Sequence, residues 1–213
     1  MEEIKLSTRF IYGAIGAILL AIGLNVTVAV DLGVSMFDTS TLAIQYLLNM
    51  ELLGNAALVL HAIFVILIII FRSKLDIRWI ELGIAILSVF ILTRIINVFA
   101  FVAQTITLTS FATTVVYFVL SVLVFNIGVF FMAKSNLFVT PYDRFILQLS
   151  WLLNKEYGTT RLICDVALFA TTILVILIFK LPVPISIGTL YIIFTSGLQI
   201  NLISKIFNKL FNI

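Results

Sequence analysis

Apolar residues in this chain gather into long unbroken blocks instead of alternating with polar ones. The blocks run over about residues 10–30, 55–71, 80–101, 112–133, 161–179 and 186–207. Each is near the ~20 residues that a helix needs to cross ~30 Å of hydrocarbon. Lipid offers backbone amides and carbonyls no partner, so a crossing segment must satisfy them internally, and helix is the economical solution. A transmembrane barrel would show alternating stretches of about ten residues. The run from Leu58 to Phe71 does not alternate. Two shorter apolar segments, about 37–49 and 142–154, are too short to cross comfortably. The pattern predicts an all-α membrane protein of six transmembrane helices plus two short re-entrant or interfacial helices, in a single membrane domain over residues 1–213.

Composition agrees with the pattern. Of the 213 residues, 62% are hydrophobic and only 11% are charged, too few to cover the apolar surface of a water-soluble domain. The charges also decide between six and eight spans. With six spans and a cytoplasmic N-terminus, Lys5, Arg9, Arg72, Lys74, Arg78, Lys134, Arg144, Lys155, Arg161, Lys205 and Lys209 all fall on the inner side. Only Lys180 falls outside, and Arg94 lies within a span. The positive-inside bias predicts this distribution, and counting the short segments as spans would destroy it. Both termini are therefore expected inside, and Phe10 to Val30 is expected to be a retained first span, because it exceeds a signal-peptide core. A net charge of +3 confined to connections argues against a nucleic-acid partner. Richness in Ile, Phe, Asn and Lys fits an AT-rich bacterium, so the expected location is a bacterial cytoplasmic membrane.

The chain repeats itself at an offset of 105 residues. Tyr12 aligns with Tyr117, Ile22-Gly23 with Ile127-Gly128, Leu32 with Leu137, Val34 with Val139 and Asp38 with Asp143. Leu47-Leu48-Asn49 then meets Leu152-Leu153-Asn154, and Glu51 meets Glu156. One deletion later, Gly54 meets Gly158 and His61 meets Asp165. Repeat 1 covers residues 1–105 and repeat 2 covers 106–213, each with three spans and one short helix. Three crossings per copy place the two repeats in inverted topology, a recurrent plan of secondary transporters with sites at the repeat interface.

Both short segments open on the same motif, Ser35-Met36-Phe37-Asp38 and Thr140-Pro141-Tyr142-Asp143. It fits a capping box, in which the hydroxyl accepts from an early helix amide and the carboxylate reaches back to the cap amide. Pro141 suits the first helical position. The alternative is a binding site: helix starts at membrane depth present free amides, and a carboxylate there binds a cation or carries a proton. Ser35, Thr140, Tyr142, Asp38 and Asp143 are thus candidate ligands. Arg94 is expected either to snorkel to the headgroups or to face inward, pairing with Asp31 or Asp38. His61 and Asp165, at matching places in the two halves, are candidates for lining one polar level of the bundle. Gly13, Ala17 and Ala21 form a small-residue row for close helix packing, while Asn25, Asn97, Asn126, Gln104, Gln148, Gln199 and Asn201 either bond between helices or line a path. One His and one Cys, Cys164, make neither a usual zinc site nor a disulfide. No phosphate loop or nucleophile elbow is present. No catalytic residue, metal or cofactor is expected, and the chain is read as a non-enzyme.

The elements Gly33-Val34-Ser35-Met36-Phe37-Asp38 and Val139-Thr140-Pro141-Tyr142-Asp143, with Ile187-Gly188-Thr189-Leu190, resemble those of the YczE/YyaS/YitT group of bacterial multi-pass membrane proteins. Met36 stands where that group has proline, and Phe37 where it has tryptophan. The resemblance covers most of the chain and implies a permease-like protein without a defined activity. Two functional readings follow: a small-molecule or ion transporter with a polar site between inverted repeats, or a non-transporting accessory or regulatory membrane protein that acts through protein partners. Expected partners are the lipid bilayer and a small molecule or ion, with a homo-oligomer left open.

Overall fold

A computed structural model describes residues 5–75, 78–135, 139–182 and 185–211. The described chain is helical throughout: α1 Leu6–Val30, α2 Met36–Leu47, α3 Leu53–Leu75, α4 Trp79–Val98, α5 Phe101–Gln104, α6 Phe111–Ser135, α7 Pro141–Leu152, α8 Tyr157–Phe179 and α9 Ile187–Phe211. Six segments are long and apolar enough to cross a membrane: α1, α3, α4 with α5, α6, α8 and α9. The short helices α2 and α7 have 12 residues each and cannot span. Large apolar side chains such as Leu177 and Ile178 stand 69% and 71% exposed, which water would penalise and lipid does not.

Element boundaries repeat with the sequence. The ends of α1 and α6 are 105 residues apart, as are those of α2 and α7, while α3 and α8 are 104 apart. After each short helix an asparagine, Asn49 or Asn154, takes the left-handed conformation at φ 50°, which its short polar side chain tolerates. Leu137, the repeat partner of Leu32, lies outside the described residues.

The centre of the bundle is the crossing of α1 and α6, drawn together by glycine. A Cβ on Gly23 would lie 2.6 Å from the Phe125 amide nitrogen, and one on Gly128 2.4 Å from that of Leu20. Gly23 and Gly128 are repeat partners, and so are Leu20 and Phe125. The contact therefore maps onto itself when the halves are exchanged, as an interface on a twofold axis must. Apart from the contact of α1 with α5, which has no counterpart in the second half, the other contacts obey the same exchange. The pair α2·α8 mirrors α7·α3, α2·α3 mirrors α7·α8, α1·α4 mirrors α6·α9, and α3·α4 mirrors α8·α9. Each short helix thus lies between a long helix of its own half and one of the opposite half. The expected row of Gly13, Ala17 and Ala21 is buried. The backbone-to-backbone approach, however, falls one residue over, on Gly16, where a Cβ would be 2.7 Å from the Met132 nitrogen. Ala17 and Ala21 instead pack with Leu92 and Ile96 of α4.

Two boundaries differ from the sequence reading in ways that matter. The third block breaks at Val98 and resumes as the single turn α5. The fifth starts at Tyr157 rather than 161, because Glu156 already adopts the extended conformation of an N-cap. Arg161 therefore sits a full turn inside the bundle instead of in a connection.

Candidate functional site

The site begins with two turns that start short helices deep in the protein. Gly33 has φ 133°, a conformation that side-chain-bearing residues rarely adopt. The turn around it is clamped to the start of α9: the Gly188 amide donates to the Leu32 carbonyl at 3.0 Å, and the Ser186 hydroxyl donates to the same oxygen. A Cβ on Gly33 would lie 2.4 Å from the Thr189 nitrogen. Two of the motifs that carry the family resemblance thereby meet in space, which the sequence alone does not reveal.

From that turn Ser35 caps α2, its hydroxyl oxygen accepting from the Asp38 amide at 3.2 Å. Thr140 caps α7 in the same way, accepting from the Asp143 amide at 3.2 Å, with Pro141 at the first helical position. The capping expectation needs one correction. The carboxylates do not reach back to the cap amides; Asp38 accepts from the Ser35 hydroxyl, and Asp143 accepts from the Thr140 hydroxyl at 2.7 Å. Each hydroxyl serves as acceptor and donor at once, which ties each carboxylate to the mouth of its helix.

Both helix mouths open on one cavity of about 60 Å³ between the halves. A water needs ~10–15 Å³ of such space, so there is room for roughly four to six water-sized groups. Ser35, Asp38 and Thr41 line it from α2, Thr140, Tyr142 and Asp143 from α7, His61 from α3 and Arg161 from α8. Leu20 and Leu24 of α1, Leu92 and Ile96 of α4, and Phe125 and Val129 of α6 form an apolar wall. The lining is polar on the side of the short helices and greasy on the side of the central crossing.

The second half contributes a dense ionic network. The Arg161 guanidinium donates to Asp143 Oδ1 at 3.1 Å and to the Tyr157 hydroxyl at 3.2 Å, and its Nε lies 3.7 Å from Asp165 Oδ2. Tyr157 donates to Asp143 at 2.9 Å, and Tyr142 donates to Asp165. The guanidinium also stands 5.9 Å from the centre of the Tyr142 ring, within cation–π range. Tyr142 continues into an aromatic chain through Phe37 to His61, with ring centres 4.9 and 4.7 Å apart. His61 is 94% buried by its 6% exposure, and its Nδ1 has no hydrogen-bond partner.

Of the candidates read from sequence, Ser35, Asp38, His61, Thr140, Tyr142 and Asp143 converge on this cavity. Asp165 stands behind it, bonded to Tyr142 and Arg161. Arg94 is not brought there: it is exposed on α4 beside the cavity-lining Thr93, and no ion pair joins it to Asp31 or Asp38. Of its two expected orientations, the structure shows the outward one. Arg144 and Arg161, read from sequence as connection charges, are 3% and 6% exposed within helices. The missed residues are Arg161 and Tyr157. The signal was the spacing Tyr157, Arg161, Asp165, three polar residues on one helical face of an apolar block. Of the amides expected to bond between helices or line a path, Asn126 donates to Gln199 at 2.7 Å and Asn25 to the Ile96 carbonyl at 3.0 Å. Asn97 and Asn201 pack on the paired glycines Gly54 and Gly158, where a Cβ would stand 2.9 and 2.7 Å from their side-chain oxygens.

Fold and site together define a class: a six-span helical membrane bundle whose two short helices start at a charged internal cavity. The chain belongs to DUF6198, a family of unknown function whose pattern it matches over residues 7–205. No curated protein and no solved structure matches it.

Proposed function

We propose that the protein is a small-molecule or ion transporter built from two inverted repeats, with its binding site in the cavity where α2 and α7 begin. One observation carries the reading. The two half-length helices, one from each repeat, point their N-terminal turns and their carboxylates, Asp38 and Asp143, into the same cavity. Interrupted helices that meet at a repeat interface are how transporters of this plan hold substrates and coupling ions. Charged groups at such depth are costly to bury and mark pathways. The resemblance to the YczE/YyaS/YitT group, whose members look like permeases, points the same way. The reading assigns the chain no catalysis and places both termini in the cytoplasm of a bacterium, where most of the basic residues would lie.

The competing reading, an accessory membrane protein, is favoured by the cap hydrogen bonds, which give both aspartates a structural task. It leaves the cavity without a purpose and expects it to be dry. Thiol labelling separates the two. In a Cys164→Ser background, Thr41→Cys puts a single thiol on the cavity wall. Membrane-impermeant thiol reagents react with it in a transporter. A thiol that stays unreactive from both sides of the membrane, while the protein remains folded, refutes the proposal.

A further inference from the structure

The duplication is symmetric in backbone but not in charge, and the asymmetry names the chemistry of the ligand. Where the second half places Tyr157, Arg161 and Asp165 on α8, the matching positions of α3 are Leu53, Ala57 and His61. Arg161 is the cation of the cavity wall, and it is already engaged by two carboxylates, Asp143 at 3.1 Å and Asp165 at 3.7 Å. Asp38, 7% exposed, has among the described residues only the Ser35 hydroxyl donating to its carboxylate, its own amide being given to Ser35 Oγ. The two helix mouths contribute about half a positive charge each, which together offset one carboxylate. Three carboxylates against one guanidinium and two helix mouths leave the site about one charge negative. A buried carboxylate left without a compensating charge takes up a proton or holds a cation.

The second, independent observation is His61. His61 lines the cavity, its Nδ1 is buried without a partner, and its ring packs against Phe37 at a 35° tilt with centres 4.7 Å apart. We infer that the cavity binds one monovalent cation, an ammonium group on a short apolar chain, with Asp38 as its counter-charge and His61 as a further acceptor. An ammonium has three donors and no acceptor, which suits a carboxylate, an imidazole lone pair and the Thr41 hydroxyl. Phe125 adds to the wall an aromatic ring, a group whose face attracts a cation. The apolar side formed by Leu20, Leu24 and Val129 takes a hydrocarbon tail, and the volume admits about four to six heavy atoms. An alkali ion shares the charge but leaves that apolar wall unused. This inference rests on the transporter reading and specifies the substrate class.

The test uses the full chain with Cys164→Ser and Thr41→Cys, labelled by cationic and anionic thiol reagents of equal size. Rates are normalised to those on a free thiol. The expected result is a cation preference of tenfold or more, falling toward unity with Asp38→Asn and unchanged with Arg94→Gln. A preference for the anionic reagent, or one untouched by Asp38→Asn, overturns the inference and leaves the transporter reading standing. No reaction with either reagent overturns both. In parallel, n-alkylammonium ions from methyl to hexyl, sodium, and the matched alcohols and carboxylates are compared for stabilisation of the protein in detergent. The butyl or a neighbouring ammonium is expected to stabilise at concentrations at least tenfold below its alcohol, with the effect lost in Asp38→Asn. Stabilisation by sodium alone, by the carboxylates, equally by the alcohols, or by none of the series overturns the assigned class.

Discussion

Replacing Arg161 by Met tests whether the network at the second helix mouth holds the bundle together. The guanidinium is 7% exposed, and its partners Asp143 and Asp165 are 16% and 13% exposed, so water screens little. At separations of 3.1 and 3.7 Å and an effective dielectric near 20, each attraction is on the order of 4–5 kcal/mol before desolvation is subtracted. Removing one partner of such a cluster leaves its carboxylates buried and facing each other, a loss of about 3–5 kcal/mol. That is roughly a hundredfold to several-thousandfold in the folding equilibrium. The triple variant Arg161→Met, Asp143→Asn, Asp165→Asn removes the charges together and is expected within ~1–2 kcal/mol of the parent, because neutral replacement of a whole buried cluster is often tolerated. Denaturant-driven unfolding in bicelles, followed by fluorescence of Trp79 and Trp151, gives both values; Trp151 sits on the same helix as Asp143. A single variant within ~1 kcal/mol of the parent, or a triple variant no better than the single, would refute the argument that burial and pairing dominate here.

Gly33→Ala forces a side chain into φ 133° and against the Thr189 nitrogen 2.4 Å away, so a loss of about 2–3 kcal/mol or failure to accumulate in membranes is expected. Gly128→Ala pushes the Leu20 backbone off from 2.4 Å and should destabilise markedly, whereas Gly83→Ala meets nothing within 4 Å and should be neutral or stabilise by about 0.5–1 kcal/mol; thermal unfolding of the pair checks the contrast. Thr140→Val removes an acceptor for the Asp143 amide while keeping the shape, with an expected loss of about 1 kcal/mol in the same unfolding assay.

Much of this architecture was legible without coordinates. Blocks of about twenty apolar residues must be helices in lipid because the backbone has no other partner there, and that argument is local. The caps at Ser35 and Thr140 and the shortness of α2 and α7 are local in the same sense, each depending on residues within a few positions of one another, and the repeat is read by setting such a segment beside its copy 105 residues on. What the sequence could not say is which side of a helix looks inward when both sides are apolar. Arg94 and Arg161 each lie in an apolar block, yet one turns outward and the other inward; that choice depends on whether Asp143 and Asp165 arrive from other turns to receive the charge. The meeting of Gly33 with Thr189, of Asp38 with the cavity that holds Asp143, and the swapped seating of each short helix against the opposite half are all long-range contacts. They were decided by the close crossing of α1 and α6, because only glycines that let two backbones touch bring the two repeats near enough to share a site.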